Sequence, residues 1–242
     1  TILNLSQTNS DSVHPLLQKK EQYKKILLVL ISSNRGLCGG YNIQLVNKAI
    51  DSIKKHNGGE KITDIVTMGR KGAEIILRHK YNVVFDFPKP DLATGIYEVS
   101  DLSKMVIQSF LKGEYDKIMV AYTDFISSVN QVPRVKQLLP IDLDTEDDYL
   151  GIVGKDERIG LTKEFIKEKE EKYLKKGKYS FEYTFEPSTK EVLDQMIPRL
   201  IEIQLYQALL EANASEHSLR MLNMRNASDA AGEMIEDLTL YY

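Results

Sequence analysis

A chain of 242 residues, 42% of them hydrophobic, is long enough to bury one good core with an appendage and too apolar to be intrinsically disordered. Its 32 basic and 35 acidic residues leave a net charge of -3, which excludes a general attraction to nucleic acid or an anionic membrane and points to protein partners. The single cysteine, Cys38, rules out an internal disulfide or a CxxC metal or redox motif, and the apolar run Ile26 to Ile31 is about a third of the roughly 20 residues a membrane helix needs.

Residues Thr1 to Ser12, "TILNLSQTNSDS", are polar and unpatterned and are expected to be the frayed start of a lead-in segment over 1–23, with more chain before it. From Lys24 the pattern alternates: strand "ILLVLIS", helix from Tyr41 to His56, strand "DIVTM", helix from Lys71 to His79, strand "NVVFDF", helix from Val99 to Leu111, strand "KIMVAYT". Short strands that are apolar on both faces and alternate with helices predict a Rossmann-like α/β fold, its sheet mainly parallel with helices on both faces. A further strand around "VPRVKQLLPI" and one at "YSFEYTFE" are expected to close a globular domain over 24–187. Between them, 142–178 reads as a charged surface insert, with Glu168 and Lys172, and Glu171 and Lys175, in the favourable i,i+4 order.

The segment 188–242 is predicted to be one long coiled-coil helix. Alternating steps of three and four from Leu193 pass through Met196, Leu200, Ile203, Gln207, Leu210, Ala214, His217, Met221, Met224, Ser228, Ala231, Ile235, Leu238 and Tyr242. That 3.5-residue spacing is the pattern of a left-handed coiled coil rather than of a helix lying on a sheet. At about 1.5 Å per residue the segment extends roughly 80 Å, and Pro198 is expected to bend its first turns. No other segment offers a matching seam, so the partner strand is expected from outside this sequence.

The glycines of "NRGLCGGYN" follow the first strand and precede a helix, where phosphate-cradling loops sit. A P-loop needs GxxxxGK[ST], and the positions five to seven after Gly36 are Tyr41, Asn42 and Ile43; GxGxxG fails as well, at Cys38. Gly39 and Gly40 before the helix still present backbone N–H groups, and the structural alternative is a tight turn in close approach to a neighbour. The four histidines have no metal-ligand spacing, and the acidic run from Asp144 to Asp148 lacks the EF-hand pattern. No catalytic, cofactor or metal site is expected.

"ISSNRGLCGGYN" at Ile31 to Asn42 and "ASEHSLRMLNMRNASDAAGEMIEDLTLYY" at Ala214 to Tyr242 closely resemble the two signature regions of the γ subunit of F-type ATP synthases. "HPLL" at His14, "GRKG" at Gly69 and "LYQALLEANASE" at Leu205 match as well, so the resemblance spans the chain from His14 onward except for the insert. It implies a non-catalytic rotor: a Rossmann-like foot and an antiparallel coiled coil of N- and C-terminal helices entering an α3β3 head. The implied partners are the α and β subunits, an ε (or δ) subunit, the membrane c-ring and an N-terminal helix that this sequence does not contain. The implied location is peripheral on an energy-coupling membrane, with the bacterial cytoplasmic face expected ahead of the mitochondrial matrix or plastid stroma. By the same resemblance Glu216, Arg220, Arg225, Asp229, Arg35, Gly36, Gly39, Gly40 and Asn42 are candidate subunit contacts. The competing readings are a small Rossmann-type nucleotide or phosphate-binding enzyme and an unrelated coiled-coil scaffold.

Overall fold

The computed structural model describes residues 15–18, 23–55, 62–141 and 189–241. Most of the lead-in, the insert at 142–178 and the strand expected at "YSFEYTFE" lie outside the described residues, but Pro15–Leu17 forms a 3-10 turn whose Leu16 and Leu17 are buried in the core, so this part of the lead-in is packed rather than frayed. In chain order the elements are β1 (Ile26–Ile31), α1 (Tyr41–Lys54), β2 (Thr63–Met68), α2 (Arg70–Arg78), β3 (Val83–Phe87), α3 (Ser100–Leu111), β4 (Lys117–Phe125), β5 (Gln131–Leu139) and α4 (Thr189–Tyr241).

The sheet runs β3-β2-β1-β4-β5. Its first four strands are parallel, and β5 pairs antiparallel with β4. All six residues of β1 are buried, as expected of a central strand covered on both faces. On one face Ile26, Leu28, Leu30, Ile65, Met119 and Ala121 meet Leu45, Val46, Ala49, Ile50 and Ile53 of α1 and Ile76 of α2. On the other, Leu27, Val29, Ile31, Val66, Met68, Ile118, Val120 and Tyr122 meet Val99, Leu102 and Val106 of the α3 region and a row of side chains from α4.

The "GRKG" match has a packing cause. Gly69 has a φ of 114°, and a Cβ there would stand 2.3 Å from the Ser32 carbonyl oxygen. Glycine lets the start of α2 press against the end of β1, where Ser32 Oγ donates to the Gly69 carbonyl and accepts from Gly72 N–H.

α4 corrects one expectation. Its buried row is Leu193, Ile197, Ile201, Leu205, Ala208, Leu209 and Ala212, which lies on the sheet within the core. The 3.5-residue count from Leu193 leaves this row at its first step and follows another stripe, whose Met196, Ile203 and Leu210 are 37%, 45% and 41% exposed. The first half of α4 is apolar on two sides, so spacing alone did not say which side meets the body. Fully burying Ile197, Ile201, Leu205 and Leu209 contributes about 1.5–3 kcal/mol each, which fixes this half to the sheet. The helix continues through Pro198 to Tyr241, and every residue from Met224 to Tyr241 is exposed.

Candidate functional site at the carboxyl ends of the strands

Three segments converge where β1, β2 and β4 end. The first is the glycine loop after β1. Ser33 N–H donates to Asn42 Oδ1 at 3.1 Å, and Asn42 Nδ2 donates to Ser33 Oγ at 2.7 Å and to Cys38 Sγ at 3.4 Å, tying the first turn of α1 back to the strand end. The chain between enters the left-handed region twice, at Leu37 with φ 64° and Gly39 with φ 58°. Gly40 has an ordinary φ of -77° and precedes α1. A Cβ on Gly39 would stand 2.8 Å from Asn223 Nδ2 of α4, whereas one on Gly36 would meet open space. Gly39 therefore serves close approach to the long helix.

The second segment is the turn Lys89-Pro90-Asp91 after β3. Asn34 Nδ2 donates to the Lys89 carbonyl at 2.8 Å and to Asp91 Oδ1 at 3.2 Å, and Arg35 forms an ion pair with Asp91. Those hydrogen bonds, Arg35's first, hold the Asp91 carboxyl below its ordinary pKa.

The third segment is α4 from Ala212 to Asn223, which roofs the other two. Tyr41 donates its hydroxyl proton to the Ala212 carbonyl at 3.2 Å, Ser215 Oγ to the Thr123 carbonyl at 3.2 Å, and Ser218 Oγ to the Ser128 carbonyl at 2.9 Å. Asn213 Nδ2 reaches the Pro90 carbonyl at 3.3 Å, and His217 Nε2 lies 3.0 Å from the Asp91 carbonyl. Glu216, 3% exposed, sits at the centre: one oxygen takes Lys89 Nζ and the other takes Arg220 Nη2 at 2.7 Å. Arg220 goes on to donate to the carbonyls of Gly36 and Arg35 at 3.2 and 3.4 Å.

Burial pushes the Lys89 ammonium below its ordinary pKa, opposed chiefly by the Glu216 charge. Burial likewise raises the Tyr41 phenol, with the nearby Glu216 charge adding to it, so Tyr41 acts as a neutral donor. A buried charge cluster of this kind gains little over an apolar substitute, but losing one member leaves an uncompensated charge and costs about 3–5 kcal/mol.

A phosphate cradle aims backbone N–H groups at an anion. Here the loop turns the carbonyls of Arg35 and Gly36 toward a guanidinium, which is the opposite polarity. In doubly wound sheets the ligand crevice opens where the strand order reverses, between β1 and β4, and here α4 crosses it with hydrogen bonds to both sides. Among the described residues no group of three or more His, Cys, Asp or Glu side chains is placed to hold a metal ion, and no helix is long and apolar enough to cross a membrane.

Of the candidate residues, Arg35, Gly36, Gly39, Asn42, Glu216 and Arg220 meet at this junction, and Gly40 borders it at the start of α1. Arg225 and Asp229 lie beyond it on the exposed part of α4. Sequence reasoning missed Lys89, Asp91 and Tyr41. The only signal for the first two was "PKPD", a charged turn between prolines after a strand, which reads as solvated loop.

A family model described as ATP synthase matches residues 1–242. The ATP synthase gamma chain of Roseiflexus castenholzii is 34% identical over 94% of this chain and 68% of its own, and that of Symbiobacterium thermophilum is 35% identical over the whole of this chain and 74% of its own. Among solved structures, the central stalk and c-ring assembly of the Tetrahymena thermophila mitochondrial ATP synthase contains a chain that superposes with a TM-score of 0.62 at 19% identity, covering 94% of this chain and 86% of that one. A rotor chain of the Euglena gracilis mitochondrial ATP synthase gives a TM-score of 0.55 at 14% identity, covering 98% and 83%.

Proposed function

The chain belongs to the ATP synthase gamma chain family, and from that premise we propose that it is a non-catalytic rotor of the central stalk, with the α/β body as its foot and α4 as one strand of its shaft. In this reading ion flow through a membrane c-ring turns the foot, and the shaft presses successive β subunits of an α3β3 head toward different nucleotide affinities. Only differential contact biases one β conformer over another, so the shaft must be asymmetric and stiffly held.

One observation carries this reading: α4 occupies the crevice at the strand ends and is pinned there by the Glu216 cluster, while its distal third stands exposed. A nucleotide-binding enzyme of this fold keeps that crevice open, whereas a shaft needs it as a socket. The partners are then the α and β subunits along the exposed stripe of α4, with an ε (or δ) subunit and the c-ring at the foot. The chain is peripheral on an energy-coupling membrane. The candidate contacts divide accordingly: Arg225 and Asp229 are free to reach the head, while Glu216, Arg220, Arg35, Gly36, Gly39 and Asn42 build the socket, and Gly40 borders it.

The test combines calorimetric titration of the chain with MgATP and its reconstitution with α and β subunits. We expect no saturable ATP binding to the chain and a stable complex whose ATP hydrolysis drives rotation of a label fixed to the foot. Stoichiometric ATP binding by the chain, with no complex formed, would restore the nucleotide-enzyme reading.

A further inference from the structure

Below the socket, α4 crosses the β4–β5 hairpin, and two carboxyl groups meet at the crossing. Glu211 of α4 is 7% exposed and Asp124 of β4 is 9% exposed, and where Ser215 of α4 ties the helix to the Thr123 carbonyl of β4 the Asp124 carboxyl is placed as a side-chain partner and a like charge for Glu211. Two carboxylates cannot share a hydrogen bond unless one carries a proton.

The surroundings decide which one carries it. Arg134 Nε of β5 stands 2.6 Å from Asp124 Oδ2 and stabilises that charge. Glu211 receives only a neutral amide, Gln207 Nε2 at 3.0 Å on Oε1, and its Oε2 is buried with no protein donor. A proton on Glu211 turns that orphaned oxygen into a donor toward Asp124. Lys136 of β5, its Nζ 5.7 Å from the centre of the Tyr122 ring, is the one cation that acts on Glu211 among the causes of its shift, and the weakest of them. Among the described residues, Asp124, Gln207 and Lys136 act on Glu211 directly, and Arg134 acts on it through Asp124.

We propose that Glu211 and Asp124 form a proton-linked latch between the long helix and the β4–β5 hairpin, closed by one shared proton and loosened when that proton leaves for solvent. Burial, followed by Asp124, pushes the Glu211 carboxyl up to about 7 from an ordinary value near 4.5. For a group whose folded value is raised, the stabilisation is complete below the unfolded value and is lost as pH rises through the folded one. The latch is thus closed at pH 5 and progressively weakened up to and past pH 7. In a rotor, it would make the stiffness of the foot-to-shaft joint respond to the pH around it, a consequence that depends on the function proposed above, although the latch itself does not.

Two readouts on the full chain test it. Native-state hydrogen exchange of the Leu205–Ala212 amides, corrected for intrinsic exchange, should show an opening constant that rises about tenfold between pH 6 and pH 8. In Glu211→Gln, whose amide donates to Asp124 at every pH, it should stay flat. Infrared difference spectra should show a protonated carboxylic C=O band at pH 6 that is missing from Glu211→Gln. An unchanged pH dependence in that variant, or no band lost, overturns the latch. If Glu211→Gln does not fold, Asp124→Asn decides: removing the facing anion should move the exchange midpoint to lower pH, and an unmoved midpoint refutes the proposal.

Discussion

Leu37 holds a φ of 64° with its side chain 71% exposed, a left-handed conformation that costs a branched residue on the order of 1–3 kcal/mol and gains no burial in return. Such strain at an exposed apolar tip is what a contact residue would retain. Leu37→Gly is therefore expected to raise the melting temperature by a few degrees, roughly 2–4 °C per kcal/mol for a chain of this size, while weakening reconstitution with the head. Gly39 behaves oppositely, because its positive φ and the Asn223 side chain leave no comfortable place for a Cβ. Gly39→Ala should cost about 1–2 kcal/mol and Gly36→Ala almost nothing, as read from denaturant midpoints; equal costs would remove the close-approach argument. At the cluster, Glu216→Ala should cost about 3–5 kcal/mol, since it strands Lys89 and Arg220, and the double variant with Lys89→Met should recover part of that loss.

At the scale of elements, β1, β2 and β4 were legible because a central parallel strand is apolar on both faces, and α1 because its apolar positions repeat on one. β3 was legible from its turn signals, though as the sheet's edge strand it leaves Phe85 53% exposed. The side of α4 that meets the sheet was not legible, because Ile197, Ile201 and Leu205 on one stripe compete with Met196, Ile203 and Leu210 on the other, and periodicity cannot rank two apolar stripes. The junction was half legible: its glycines and the Glu216–Arg220 spacing stand out, while Lys89 arrives from a turn over 120 residues away, which only the sheet order brings near. The two stripes should separate under mutation. Ile201→Ala or Leu205→Ala is expected to cost about 2–5 kcal/mol in the isolated chain, and Ile203→Ala or Leu210→Ala under about 1 kcal/mol. If the outward stripe contacts a partner, the second pair weakens assembly more than the first at equal folded fraction.

At the scale of the whole molecule, a rotor must be rigid where foot meets shaft and is free to depend on its neighbours elsewhere. α4 has that division. From Leu193 to Ala212 its buried row is part of the core, and from Ala212 to Asn223 it is pinned by hydrogen bonds and the Lys89-Glu216-Arg220 cluster. From Met224 to Tyr241 every residue is exposed, so among the described residues those turns, roughly 27 Å of helix, have only local hydrogen bonds to hold them. Isolated helices of that length are marginal in water, because most helical stability in proteins comes from packing. Hydrogen exchange on the isolated chain should therefore show a step: strong protection through Ala212, intermediate protection to about Asn223, and near-intrinsic exchange beyond it. Adding the α and β subunits should raise protection selectively from Met224 onward, since Met224, Ile235 and Leu238 then acquire an apolar surface to cover them. Uniform protection along α4 in the isolated chain would mean that the distal stripe is already buried, for instance against a second copy, and a protection change confined to the body on adding the head would place the contact on the wrong end for a shaft.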